Sequence, residues 1–212
     1  MNENTFTNCF VKMSKKSPDK EERILKAAIR VFARKGFFNA RISEIAKEAG
    51  VADGTIYLYF QNKYDLLVSI LEREMGRIVN RVKQELSSLS DPREKLERYA
   101  LLHLNLVEEN RDLAELFQLE LRQSYKFFRE RHQRKFAEYV NIISAIVREG
   151  QAQGIFRQDI KPGIFKRAFF GALDEMSRFW ILSSRKKYRV STAAKQIASF
   201  FLEGILSPSA RS

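Results

Sequence analysis

Residues Gly36 to Leu67 read GFFNARISEIAKEAGVADGTIYLYFQNKYDLL, and the spacing inside this stretch decides the fold. Ile42, Ile45, Ala46 and Ala49 recur at helical intervals, forming one apolar face of a short helix that ends on Gly50. Asp53 then opens a second short segment in which Ile56, Tyr59 and Phe60 face inward. Two short helices joined by a tight glycine-containing turn make a helix-turn-helix. Such a unit lays its second helix in the major groove, with N-terminal residues at base edges and flanking groups on phosphates. Here that helix opens with Asp53, Gly54 and Thr55.

Upstream, EERILKAAIRVFARKG places Leu25, Ala28 and Phe32 on one stripe and stops at Gly36, which predicts a first helix starting at Lys20. Residues 1–19 are polar and basic and are expected to form a flexible arm, so the DNA-binding unit is placed at 20–66. Downstream, Tyr64 to Leu89 reads as a long amphipathic helix. Asp91, Pro92 and Glu94 supply a cap, a proline at the first helical position and an acid at the third, which starts another helix running to about Glu109. Further helical segments follow at Leu113–Arg122, Ser124–Gln153, Pro162–Ser184 and Thr192–Leu206. The fold class is all-α, about nine helices, with 67–212 as a second helical domain.

The chain has 212 residues, 44% hydrophobic and 30% charged, which suits a globular protein with a sizeable core. Its 38 Lys and Arg against 26 Asp and Glu leave a net charge of +12, so polyanions head the list of partners: nucleic acid, anionic lipid or an anionic small molecule. Between Lys12 and Lys63 we count twelve basic against six acidic side chains, half the net charge, placed where a DNA footprint needs it. A single cysteine, Cys9, rules out an intramolecular disulfide. With no apolar leader or membrane-length apolar run, the chain reads as cytoplasmic and not membrane-bound.

The Gly36–Leu67 series resembles the DNA-binding domain of the TetR family of bacterial transcriptional regulators in its Gly-aromatic start, Ile-Ala, Ala-Gly-Val, Gly-Thr-Ile-Tyr, Tyr-Phe and closing Lys, acid and Leu. The resemblance implies that Gly54, Thr55, Tyr57 and Leu58 approach bases or the nearby backbone and that Tyr59 and Lys63 contact phosphates. One departure is Arg41, where the family carries a capping Ser or Thr; it makes Arg41 a candidate for a guanine edge or a phosphate. Three further segments, FQLELRQS (Phe117–Ser124), REGQAQGIFRQDI (Arg148–Ile160) and FFGALDEMSRFWILSSRKKY (Phe169–Tyr188), resemble the FadR-like subgroup, which senses long-chain acyl-CoA and represses fatty-acid degradation genes. By this resemblance 67–212 is a ligand-binding and dimerisation domain, and the protein is a homodimeric repressor on a palindromic double-stranded operator. Its last two helices then pair across a twofold axis, with Gly171 and Ala172 allowing close approach.

An acyl-CoA needs an apolar tunnel and cations at its mouth. Seventeen phenylalanines, Phe117 and Phe170 among them, and Trp180 are candidates for the tunnel, and Arg122, Lys126 and Arg129, with Arg131 and Arg134 nearby, for the head. Aromatics at helical spacing also serve as core, and basic runs as solvated surface. A TetR-type efflux regulator responding to a hydrophobic drug or cation is the alternative, with Glu115, Glu120, Asp174 and Glu175 as candidate pocket acids. A basic helical protein that coats DNA or membrane without sequence choice, and an acyl-CoA carrier or enzyme, are further readings. The sequence offers no catalytic site, metal site or cofactor motif: its two histidines, His103 and His132, stand apart and read as surface or internally satisfied side chains, and GQAQG (150–154) lacks the Lys-Ser/Thr of a phosphate loop.

Overall fold

The computed structural model describes residues 17–123, 133–183 and 188–210, without the side chains of 119–123 and 133. Residues 1–16 of the expected arm lie outside them, as do Lys126, Arg129 and Arg131 and the side chains of Arg122 and Glu120. Among the described residues the chain forms nine α-helices: α1 Pro18–Asn39, α2 Ile42–Ala49, α3 Asp53–Tyr57, α4 Lys63–Ser87, α5 Pro92–Glu109, α6 Arg111–Gln123, α7 Gln133–Ala152, α8 Pro162–Leu182 and α9 Val190–Ile205. A 3-10 turn at Pro208–Ala210 follows.

The punctuation expected from sequence sets most of the breaks. Gly36, the expected end of the first helix, leaves helical geometry at φ 73° and kinks α1, which resumes to Asn39 before α2 begins six residues after the glycine. Gly50 closes α2 in the left-handed region at φ 65°. Asp91 caps α5, its side chain accepting from the Arg93 N–H at 2.8 Å, with Pro92 at the first position. α1 begins at Pro18, two residues before the expected start, because Pro18 stands at a first helical position and the Glu21 N–H reaches back to the Ser17 carbonyl.

Two apolar cores are built. The first joins α1, α2 and α3 with the start of α4, up to Leu71, and includes Leu113 and Leu116 of α6. The second begins at Met75 and gathers the rest of α4 with α5, α7, α8 and α9. The expected boundary at 66/67 therefore falls inside the continuous helix α4, which belongs to both. At the far end, the only ladder-like pairing among the described residues is an isolated antiparallel bridge between Phe156 and Leu206. No described helix is long and apolar enough to cross a membrane.

Candidate functional site

The helix-turn-helix is locked from behind. Ile45, Ala46 and Ala49 of α2 and Ile56 of α3 are buried against α1, and Phe60 seals the junction. Arg23 of α1 donates to the carbonyls of Ala49 at 2.6 Å and Gly50 at 3.2 Å, closing the C-terminal end of α2 with a cation. On α2 the Arg41 N–H donates to Glu44 Oε2 at 3.1 Å; this replaces part of the missing cap and leaves the Arg41 side chain exposed. Lys35 pairs with Glu44, and that hydrogen bond holds the Glu44 carboxyl below its ordinary range.

Arg41, Gly54, Tyr57 and Leu58 are all solvent-facing, Tyr57 at 56% and Leu58 at 49% exposure. Large apolar groups held in water on a short helix call for a partner surface. Thr55 and Tyr59 are half-buried. A Cβ placed on Gly54 would meet no atom of this chain within 4 Å, so nothing internal requires glycine there. The two residues expected on phosphates also serve the fold. The Ser17 N–H donates to the Tyr59 hydroxyl at 2.8 Å, and the Lys63 ammonium donates to the carbonyls of Phe38 at 3.1 Å and Ala40 at 2.9 Å while lying over the Phe37 ring. Phe38, 74% exposed beside this corner, was not singled out by sequence; its exposure depends on how the kinked end of α1 packs.

Behind this unit a cavity of about 710 Å³ opens between α4, α5, α6, α7 and α8. That volume lies within the range of roughly 300–1,000 Å³ usual for small-molecule sites. Its wall is mostly apolar, and it contains Phe117 and Phe170 as expected, with Phe136 beside Phe170 at 5.5 Å between ring centres. Among the described residues, Lys166 and Arg167 on the first half of α8 are the cations of this wall, Lys166 bonded to Asn141. Trp180, expected in the tunnel, is fully buried in the second core and does not line the cavity, because α8 turns it away from the face carrying Phe170, Asp174 and Ser177. Of the candidate acids Asp174 lines the cavity, while Glu115 does not and Glu175 pairs with Arg178 on the outside of α8.

Sequence reading left His103 as a surface or internally satisfied histidine; the structure shows the second, and places it at a cavity that the sequence does not reveal. It is buried in α5 and lines the cavity, its Nδ1 2.9 Å from the hydroxyl of Tyr139. Burial lowers its pKa to about 4, with Asp174 opposing the shift, and burial pushes the Tyr139 phenol up. The pair is therefore neutral at physiological pH. The unfolded chain takes up a proton on this histidine below pH 6.5, whereas the folded one resists until about 4, so stability is expected to fall by roughly 3 kcal/mol as the pH drops through that window. Urea unfolding between pH 7 and 4, compared with His103→Leu, tests this: equal slopes above pH 4.5 for both proteins would refute it.

α6 connects cavity and DNA-binding unit. Leu113 is buried in the first core and also lines the cavity; Leu116 packs into that core while Ala114, Phe117 and Gln118 face the cavity. A second tie runs from Glu22 of α1 to Arg73 and, at 3.3 Å, Arg77 of α4. Burial works against the Glu22 carboxylate, but these two guanidiniums hold its pKa below the usual value. α8 and α9 expose Ile164, Leu182 and Phe200 at about 70% each, and a Cβ on Gly171 would meet no atom of this chain within 4 Å.

Comparison with known proteins agrees with this division. A model of the bacterial regulatory proteins of the tetR family matches residues 24–70, and one for the YsiA-like C-terminal region matches 71–204. The chain is 34% identical over 193 residues to the fatty acid metabolism regulator protein of Bacillus subtilis, covering 91% of this chain and 98% of the relative. Among solved structures it is similar to the transcriptional regulator FadR of B. subtilis in complex with stearoyl-CoA (33% identity, TM-score 0.81, 87% of this chain and 98% of that one). It is also similar to the fatty acid degradation regulator FadR of Bacillus halodurans (35% identity, TM-score 0.80, 86% and 98%).

Proposed function

Because the chain belongs to the TetR family of bacterial regulatory proteins, we propose that it is a homodimeric transcriptional repressor of fatty-acid degradation genes, released from a palindromic operator by long-chain acyl-CoA. The observation that carries the effector is the cavity: a large, mainly apolar space with Lys166 and Arg167 in its wall, roofed by a helix whose Leu113 is also part of the DNA-binding core. An acyl chain fills the apolar part and the anionic head meets the cations. The solvent-exposed apolar faces of α8 and α9 support the dimer, since patches of this kind on monomers mark interfaces.

On this reading Tyr57, Leu58, Thr55 and Gly54 meet the major groove, and Arg41 and the remaining proton of the Lys63 ammonium meet phosphates. A ligand that displaces α6 moves Leu113 and Leu116 and so shifts the DNA-binding unit of each protomer. Release requires that DNA and ligand prefer different states of the dimer, and reciprocity then obliges operator DNA to weaken acyl-CoA binding by the same factor.

Fluorescence anisotropy of a labelled duplex from the gene's own upstream region, against scrambled competitor, tests the proposal. Palmitoyl-CoA is expected to release the specific complex, and free palmitate and free CoA are expected to leave it intact. Specific binding indifferent to all three would keep the DNA-binding regulator and overturn the effector. Release by a hydrophobic cation instead would point to Asp174 as its counter-charge.

A further inference from the structure

At the end of α1 two neighbouring phenylalanines are placed differently. Gly36 takes φ 73°, which turns residues 37–39 away from the axis of the preceding helix. Phe37 packs against the first core, its ring centre 5.6 Å from that of Phe32. Phe38 lies edge-on to Phe37 at 5.5 Å between ring centres, is not part of that core, and stays 74% exposed, more than any other large apolar side chain among the described residues. A ring held in water at this cost calls for a partner surface.

The surroundings of Phe38 point to a polyanion. From Arg34 to Arg41 the chain carries three cations and no acid. The Lys63 ammonium donates to the Phe38 carbonyl at 3.1 Å and to that of Ala40 at 2.9 Å, and Arg41 stands exposed three residues on, just before α2. The first helix of a helix-turn-helix crosses the DNA backbone while the second enters the groove, so the junction of α1 and α2 comes beside the sugar-phosphate chain. That chain alternates anionic phosphates with deoxyribose rings whose edges are C–H groups, and a phenyl ring between two cations matches the alternation. An anionic bilayer instead takes up the apolar face of an amphipathic helix, whereas the apolar faces of α1 and α2 are spent in the first core.

We propose that Phe38 is a further DNA-contacting residue, packing on a deoxyribose of the backbone between the phosphates met by Arg41 and Lys63, and that it adds affinity without reading sequence. This rests on the reading of α3 as the recognition helix. The contact is apolar, so it releases no counterion and leaves the salt dependence of binding alone. A sugar carries no base information, so the gain is the same on operator and non-operator duplexes. The two phenylalanines then divide the work: Phe37 secures the turn, and Phe38 uses the position that the turn provides.

Anisotropy titrations of the full-length protein over a series of salt concentrations test it, using the labelled upstream duplex and a scrambled one. Phe38→Ala is expected to weaken both complexes about ten-fold, with the ratio between them and the slope of log Kd against log salt unchanged, and Phe38→Leu to recover most of the loss. Both substitutions are at an exposed position and are expected to leave Tm within about 2 °C. Because Phe38 lies edge-on to Phe37, over whose ring Lys63 sits, a merely structural role would act through the Lys63 phosphate contact and reduce the slope by about one per protomer; that result would overturn the direct contact. Unchanged DNA binding by Phe38→Ala would overturn it too and leave the reading of α3 standing, and a loss confined to binding of phosphatidylglycerol vesicles would assign Phe38 to a membrane instead. Binding of neither duplex by the unaltered protein would overturn both readings.

Discussion

Replacing Gly54 with leucine is expected to reduce operator binding by roughly a hundred-fold while leaving the protein at least as stable as before. Gly54 lies near the start of α3, exposed, and its missing Cβ faces open space, so the fold does not need glycine at that point. Within a helix glycine is unfavourable by about 0.5–1 kcal/mol relative to alanine, so a side chain there gains in backbone terms what it loses in exposed apolar surface. On the proposed reading the reason for glycine lies outside the chain: with the α3 backbone close to the duplex, any side chain would hold Thr55 and Tyr57 off their proposed contacts. Losing base contacts costs about 1–3 kcal/mol per half-site, and a dimer loses them twice. Thermal unfolding and anisotropy on the same preparation check both halves. A variant that binds operator normally would show that α3 does not approach DNA through this face.

Gly150→Ala is expected to have the opposite character, a severe loss of stability by a change far from DNA. A Cβ at Gly150 would lie 2.1 Å from Phe156 Cδ2, with Cε2 and Cγ at 2.5 and 2.7 Å. Phe156 cannot swing away, since it is 1% exposed within the second core. The backbone around it is held too: Ile155 and Phe156 both donate to the Gly150 carbonyl at 2.9 and 3.0 Å, Arg157 donates to the Ile205 carbonyl at 2.9 Å, and Ser207 donates to that of Ile155 at 2.9 Å. The added methyl must therefore shift the turn after α7 and the end of α9 together. Overpacking of this kind costs about 3 kcal/mol, or roughly 10 °C in Tm for a chain of this size. Gly150→Ala combined with Phe156→Leu is expected to lose less than the two single changes added together, which a double-mutant cycle reads directly. Additive losses would mean the two residues do not collide.

The two glycines show how legible the site was. Gly54 is part of an ordered series whose meaning is local: helix, turn and helix, each fixed by residues three or four apart. Gly150 stands in the GQAQG stretch, where sequence excludes a phosphate loop but gives no reason for the first glycine. The reason is a phenylalanine six residues on, brought back by the turn at Gly154, φ 72°. Lys63 falls between these cases. Its place in the motif marks it as a phosphate contact, whereas the fold also uses it to hold the carbonyls that end α1.

The all-α architecture, the helix-turn-helix, the glycine break within α1 and the glycine end of α2, the capped start of α5 and the apolar character of α8 and α9 follow from the sequence. Each depends on periodicity or on caps acting within about one turn, which a linear reading captures. The cavity does not follow from it. Phe117 and Phe170 were legible as aromatics but not separable from Trp180, because which side of α8 faces the cavity is set by packing against α5, α6 and α7. His103, kept neutral by burial, finds its hydrogen-bond partner in Tyr139, 36 positions away, and the Gln118–Asp174 bond spans 56. The sharing of Leu113 between cavity and DNA-binding core is likewise a property of five helices at once. Contacts between residues so distant in the chain have no period to read, so only the tertiary structure decided which polar groups meet inside the apolar domain.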